Sequence, residues 1–169
     1  LWRRPFAQSA IAGRIAQLHD PYHRTLGQAL ASLKARFGCA LLIDLHSMPP
    51  LRPEGPARPP QIVLGDRFGR SADGALCDLA LRTMARSGFE VALNHPYAGG
   101  YVLDRHGRPA RGIHALQVEI DRSLYLAADL KQPGPGLARV SAALAHLVGT
   151  LAQDMLRTDR GSDLAIAAE

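Results

Sequence analysis

The sequence has two cysteines, few aromatic residues and no long apolar run, and these shortages exclude several classes of protein. Cys39 and Cys77 lack metal-ligand spacing, and each falls in an apolar segment. Buried free thiols of a cytosolic protein are therefore expected, with a disulfide as the alternative. No apolar run reaches the roughly 18 residues of a membrane span, and no stretch resembles a secretory signal. We expect a cytoplasmic protein that does not bind membranes.

Lysine is nearly absent, and arginine carries most of the net charge of +5. A positive field attracts anions, and nucleic acid is one candidate. The arginines are scattered, however, without a basic stripe or interleaved aromatic residues. The pattern therefore argues against nucleic-acid binding.

Familiar catalytic signatures are also missing: there is no His-Glu-x-x-His zinc motif, paired Cys-x-x-Cys, nucleophile elbow or phosphate-binding loop. At 169 residues and 47% hydrophobic, the chain is long enough for one domain with one core. We expect that domain over residues 1–157 and a frayed tail over 158–169. Because the chain starts at Leu1 rather than methionine, we expect the C-terminal portion of a longer domain.

Predicted strands alternate with predicted helices. A helix is expected to start at Asp20, an N-cap acceptor before proline, and to stop at Gly38. Further helices are expected between Asp73 and Gly88 and after Gly136. Strands are predicted over residues 39–45, 61–64, 89–93, 101–103 and 115–121. This alternation indicates a three-layer α/β fold, with a mainly parallel or mixed sheet and helices on both faces.

The last predicted strand is the most informative part of the chain. Between residues 115 and 121, polar and apolar residues alternate: Gln117, Glu119 and Asp121 against Leu116, Val118 and Ile120. A strand with this alternation turns the polar side chains to one face. Ionised groups in a sheet are costly unless they are paired, hydrogen-bonded or bound to a metal. The row predicts a solvated face or a site, and the rest of the sequence favours a site.

Other polar side chains follow the ends of the predicted strands, where open α/β sheets bind ligands. Asp44 and His46 are two residues apart on an extended segment, so they share a face. His46 is therefore a candidate metal ligand, or a base oriented by Asp44. A structural histidine is the alternative.

Four segments, in this order, resemble the N-formylglutamate amidohydrolase family: DLHSMP at 44–49, GDRFG at 65–69, NHPYAGG at 94–100 and QVEIDRSLY at 117–125. The PYH segment at 21–23 is also similar. The resemblance implies a zinc-dependent hydrolase with a fold like the zinc carboxypeptidases. Its reaction would release formate and L-glutamate from N-formyl-L-glutamate, in histidine degradation. It implies His46 as a metal ligand, with the other ligands upstream of this chain.

Hydrolysis of a formamide places clear demands on such a site. A zinc ion polarises the carbonyl and lowers the pKa of its bound water to ~7. A carboxylate must take the proton and pass it to the leaving nitrogen. Glu119 is the candidate base, and a structural carboxylate paired with an arginine is the alternative. Asp44 and Gln117 are expected to position the metal ligand and the base without contacting the substrate.

The anionic substrate carries two carboxylates, which suit arginine forks. Arg67 and Arg122 are the first candidates, followed by Arg105 and Arg111. The other expected substrate contacts are the amide or oxyanion partners Asn94 and Tyr97 and the close-approach glycines Gly99 and Gly100. Two other functions stay open: an amidohydrolase acting on another N-acyl amino acid, and a non-catalytic relative that binds an anion or a partner protein.

Overall fold

The computed structural model describes residues 5–53 and 55–166, with side chains up to Thr158. The first two helices form one continuous rod, joined by a π-helical turn over Ile15–His19. Short 3-10 turns lie at Pro109–Arg111 and Arg122–Leu124. The elements in chain order are α1 (Gln8–Arg14), α2 (Asp20–Phe37), β1 (Ala40–Met48), β2 (Ile62–Gly65), α3 (Gly74–Arg86), β3 (Val91–Leu93), α4 (Tyr101–His106), β4 (Ile113–Asp121) and α5 (Leu137–Ile166).

The described strands form one mixed sheet in the order β1-β4-β2-β3. β1 runs parallel to β4, with Ala40 opposite Ile113 and Met48 opposite Asp121. β2 and β3 are parallel to each other, whereas β2 is antiparallel to β4. The predicted α/β class with a mixed sheet is therefore confirmed, and β4 occupies a central position.

The alternation predicted for β4 separates the core from a polar face. Leu116 and Val118 are fully buried, and they belong to one apolar cluster with side chains of α3 and α5. On the opposite face, Gln117 accepts a hydrogen bond from the Gly100 N–H, which immediately precedes α4. Helices thus cover both faces, and the apolar positions of β4 are the ones that meet the core.

The helix predicted between Asp20 and Gly38 is confirmed as α2, with Gly38 in the left-handed conformation after its last residue, but one predicted cap and one predicted strand are wrong. Asp20 does not cap a helix, because its backbone is already helical and continues the π turn; its carboxylate instead lies 3.0 Å from His19 Nδ1. Residues 101–103 form the start of α4 rather than a strand. The Tyr-Val-Leu composition favours a strand, but burial of Leu103 in the turn after Gly100 overrides that preference.

The last helix is longer than expected. No proline interrupts residues 137–166, so α5 runs to Ile166, through most of the segment expected as a frayed tail. Residues 167–169 lie outside the described residues, and the single domain over residues 1–157 stays a prediction. No helix in the described part of the chain is long and apolar enough to cross a membrane.

Candidate active site

A polar row lies on one face of the sheet, where β1 and β4 pair. The parallel register sets Asp44 opposite Gln117 and His46 opposite Glu119. Because directly opposed residues of neighbouring strands point to the same face, these four side chains share it. The structure therefore brings together the residues from two of the sequence motifs, 73 positions apart for His46 and Glu119.

Glu119 is buried and firmly held. Gln117 Nε2 donates to Glu119 Oε1 across 2.9 Å, while the Gly100 N–H donates to Gln117 Oε1 across 3.1 Å. Burial raises the pKa of the Glu119 carboxyl and Asp44 adds to the rise, whereas His46 and the Gln117 bond oppose it. A carboxyl group with a raised pKa is suited to proton transfer near neutral pH.

His46 lies at the open side of this row. Its Nε2 is 3.1 Å from Asp44 Oδ1, and its side chain is about half exposed. A catalytic zinc ion takes three protein ligands and one water, but no group of three or more His, Cys, Asp or Glu among the described residues could hold a metal ion. These residues alone therefore do not fit a complete zinc site, and His46 is a single candidate ligand.

The segment at 94–100, which we call the 94–100 loop, folds over the polar face. Gly65 pairs with Gln117, and a Cβ on Gly65 would come within 2.7 Å of the Ala98 carbonyl carbon. Only glycine allows this approach, since real Cβ contacts are essentially never under 3.0 Å. The Arg67 N–H fixes the loop further by donating to the Ala98 carbonyl across 2.8 Å.

Asn94 supports the start of this loop. It adopts a left-handed backbone with φ of 60°. Its Oδ1 accepts from the Asp66 N–H across 3.0 Å, and its Nδ2 donates to Asp66 Oδ1 across 2.6 Å. Asp66 is buried and also accepts from the free thiol of Cys77. Both polar atoms of the Asn94 amide are thus bonded to Asp66 and hold the turn. Its contact with the substrate stays a prediction.

The Arg67 guanidinium is also bonded to other residues of the protein. Its Nε and Nη2 donate to the two carboxylate oxygens of Asp104 across 2.7 and 2.6 Å, and its Nη1 donates to the Gly99 carbonyl across 3.2 Å. The fork predicted to hold a substrate carboxylate therefore joins the 94–100 loop to α4. A substrate contact by Arg67 would require this pair to open.

The remaining predicted substrate contacts lie around the polar face. Arg122 follows β4 directly, and its Nε donates to the Met48 carbonyl across 3.3 Å. Tyr97 is half-buried in the loop, and Gly99, with φ of 102°, has no room for a Cβ beside Leu103. Their contacts with substrate stay predictions. Of the second-choice arginines, Arg105 donates to the Tyr101 hydroxyl, and Arg111 is exposed in a 3-10 turn.

Sequence reasoning missed a buried histidine pair. His23 Nδ1 and His106 Nε2 are 2.9 Å apart and join α2 to α4. Burial is the main cause that lowers the pKa of both rings, and nearby Arg105 adds to it. The two residues are 83 positions apart, so no local spacing reveals them. The PYH similarity at 21–23 is the only signal in the sequence that touches the pair.

His114, which precedes the Gln117–Glu119 row on β4, lies away from it. It is near the start of β4, and its Nδ1 accepts from the Asp73 N–H across 3.2 Å. A cavity of about 310 Å³ at this end of the sheet is lined by His114, Cys39 and Asp154, among others. Glu119 belongs to the other end of β4, so His114 is not part of the polar row.

The fold and the polar row define an α/β protein with a candidate site built around a buried carboxylate on one face of a mixed sheet. The model of the N-formylglutamate amidohydrolases matches residues 1–126. The chain belongs to the N-formylglutamate amidohydrolase family.

Individual relatives agree with this assignment. An N-formylglutamate deformylase from Pseudomonas aeruginosa is 34% identical over 151 residues, which are 86% of this chain and 55% of the relative. One from Pseudomonas putida is 35% identical over 114 residues, or 66% of this chain and 43% of the relative. The chain thus spans about half the length of the curated relatives it matches.

Solved structures place the fold in the same group. The crystal structure of an N-formylglutamate amidohydrolase from Ralstonia eutropha JMP134 matches with a TM-score of 0.77 and 31% identity, over 95% of this chain and 58% of that one. A gene product of Agrobacterium tumefaciens matches with a TM-score of 0.65 at 21% identity, over 89% of this chain and 55% of that one. The second likeness concerns the fold alone.

Proposed function

We propose that this chain forms part of an amidohydrolase that cleaves N-formyl-L-glutamate to formate and L-glutamate. The observation that carries the proposal is the buried Glu119, held by Gln117 on the polar face with its pKa raised by burial. Relatives at 34% and 35% identity bear the name N-formylglutamate deformylase and so favour this substrate. Another N-acyl amino acid is the second candidate substrate. Arg67, one of the two arginines first predicted to bind the glutamate carboxylates, is already paired with Asp104.

Glu119 serves as the base in this reaction. Its carboxylate accepts a proton from water as the water oxygen attacks the formyl carbon, and it returns the proton to the amide nitrogen as the C–N bond breaks. The products are formate and the free amine of L-glutamate. Gln117 occupies Glu119 Oε1, and Oε2 has no hydrogen bond to a described residue. Oε2 is therefore the oxygen that takes the proton.

The proposal includes a zinc ion, with His46 as the ligand that this chain contributes and Asp44 as its orienting partner. Support comes from the donor chemistry of an exposed imidazole 3.1 Å from a carboxylate. The described residues supply fewer ligands than a zinc ion takes, and a bound zinc would polarise the formyl carbonyl. A cytoplasmic location and a role in histidine degradation belong to the same proposal, and the buried thiol of Cys77 suits a reducing compartment.

The test is formate release from N-formyl-L-glutamate by the full-length gene product, with and without a chelator. Glu119→Gln should cut the rate by about 10²–10⁴ while the metal content stays constant. Glu90→Gln is the matched control, since Glu90 is exposed. N-formyl-L-aspartate and N-acetyl-L-glutamate should react more slowly. A near-normal rate for Glu119→Gln would remove Glu119 as the base, and no formate release from the unaltered protein would refute the activity.

A further inference from the structure

We propose that Arg52, Arg58 and His95 bind the side-chain carboxylate of the acyl amino acid and so select an acidic substrate. The inference rests on the proposed function, since it concerns the far end of the same substrate. These three residues carry no role in the predictions from sequence. They line a cavity of about 230 Å³ between the proline-rich segment at 49–60 and the His95–Pro96 turn of the 94–100 loop.

The two arginines have no polar partner among the described residues. Both side chains are exposed, and neither makes a hydrogen bond or ion pair with any residue that the structure describes. In this they differ from Arg67, which is paired with Asp104, and from Arg139, which donates to the Ser87 and Gly88 carbonyls. A guanidinium with free donors beside a cavity is able to form a bidentate contact with a carboxylate.

The segments that line the cavity are anchored to β4, the strand that carries Gln117 and Glu119. The segment at 49–60 leaves β1 at Met48, which lies opposite Asp121. It rejoins the sheet at Gln61, whose carbonyl accepts the Asp121 N–H across 2.9 Å. Both ends of the segment are thus anchored beside Asp121, two residues beyond Glu119 on β4. The opposite wall belongs to the 94–100 loop, which bonds to Gln117 through Gly100.

The charge of the cavity lining suits the far end of the substrate. With its formamide at Glu119, the acyl amino acid directs its side chain away from the reacting carbon, and the side-chain carboxylate is the group that reaches farthest. The described lining contains two guanidinium groups and an imidazole, and no acidic side chain. Pro59 and Pro60 form part of the wall and limit the backbone freedom of the segment, which reduces the entropy lost when a ligand is bound.

The experiment measures binding separately from turnover. Isothermal titration in a Glu119→Gln background compares N-formyl-L-glutamate with N-formyl-L-glutamine, which has the same shape and no side-chain charge. Arg52→Ala and Arg58→Ala should each weaken binding of the glutamate compound about tenfold or more, and leave the glutamine compound unchanged. Arg82→Ala, an exposed arginine on α3, is the control and should alter neither affinity.

The possible outcomes separate this inference from the proposed activity. Unchanged glutamate affinity in both arginine variants would overturn the inference, as would equal affinity of the unaltered background for the two compounds, or binding of neither. Equal losses for both compounds would also overturn it, because they would indicate a structural role. Selective binding that depends on the arginines, together with no formate release by the unaltered protein, would support the site and refute the hydrolysis.

Discussion

Gln117 and Glu119 are joined side chain to side chain on the same face of β4, with Nε2 and Oε1 2.9 Å apart. The orientation of the amide is set by Gly100, whose N–H donates to Gln117 Oε1. Since Oε1 is an acceptor, the NH₂ end must face Glu119. The 94–100 loop is thereby coupled to the candidate base through one amide side chain.

Gln117→Leu should raise the pKa of the Glu119 carboxyl further. The Gln117 bond favours the ionised form, so its loss favours the protonated form. Titration of the labelled Glu119 carboxyl carbon by ¹³C NMR measures this directly. Gln28→Leu, on the exposed side of α2, is the control and should leave the titration unchanged. A pKa that stays constant or falls in Gln117→Leu would contradict the role given to the bond.

Glu119→Gln should stabilise the fold at neutral pH. Because burial raises the folded-state pKa of Glu119 above 4.5, the folded state favours the protonated carboxyl. The contribution of Glu119 is therefore fully present below pH 4.5 and is lost as the pH rises through the raised value. The glutamine side chain carries no charge, so the variant avoids this loss in the free energy of unfolding. Each kcal/mol gained should raise Tm by roughly 2–4 °C. Thermal scans from pH 4 to 8 should show a gain that grows with pH, and a gain independent of pH would refute this origin.

The His23–His106 pair should make stability sensitive to mild acid. Burial lowers the folded-state pKa of both rings below 6.5, so their stability contribution is present above pH 6.5 and is lost as the pH falls through the lowered values. When both rings are protonated, His23 Nδ1 and His106 Nε2 are both donors, so the hydrogen bond between them is lost. His106→Gln should flatten the fall in Tm between pH 7 and 5, and His146→Gln, exposed on α5, should not. Identical slopes in all three proteins would exclude the pair as the cause.

Gly65→Ala should detach the 94–100 loop from the sheet. The added methyl would meet the backbone of Ala98 and Gly99 at 2.7–2.9 Å, so we expect a loss of about 1–3 kcal/mol in the free energy of unfolding. Urea denaturation gives this loss, and faster amide exchange at Gly100 reports the broken bond to Gln117. Gly74→Ala, where no heavy atom lies within 4 Å of the new methyl, is the matched control. Equal stability of both variants would contradict the close approach.

The parts of the fold that follow from local periodicity could be predicted. The alternation at 115–121 defined both β4 and its polar face, because side chains on a strand alternate with a period of two whatever the rest of the chain does. The strand order could not be read in this way. The antiparallel pairing of β2 with β4 depends on contacts between segments more than 50 positions apart, such as Ile62 with Ile120.

The same distinction applies to the site. Motif residues showed which side chains gather near the polar face, but not which of them are already paired. Arg67 finds its partner Asp104 37 positions away, and Asn94 finds Asp66 28 positions away. Conversely, Arg52 and Arg58 lie in a proline-rich segment whose sequence is typical of an ordinary surface loop. Their relation to Asp121 becomes visible only when the ends of that segment are placed on the sheet.

The strand order also sets when the molecule is able to fold during synthesis. β1 and β2 are neighbours in the chain but never pair with each other, because β4 lies between them. Until β4 leaves the ribosome, β1 has no strand partner in the described sheet. Pairing over such separations is slow to nucleate. Within the described sheet, β1 therefore gains its strand partner only when the strand that carries the candidate base has been synthesised.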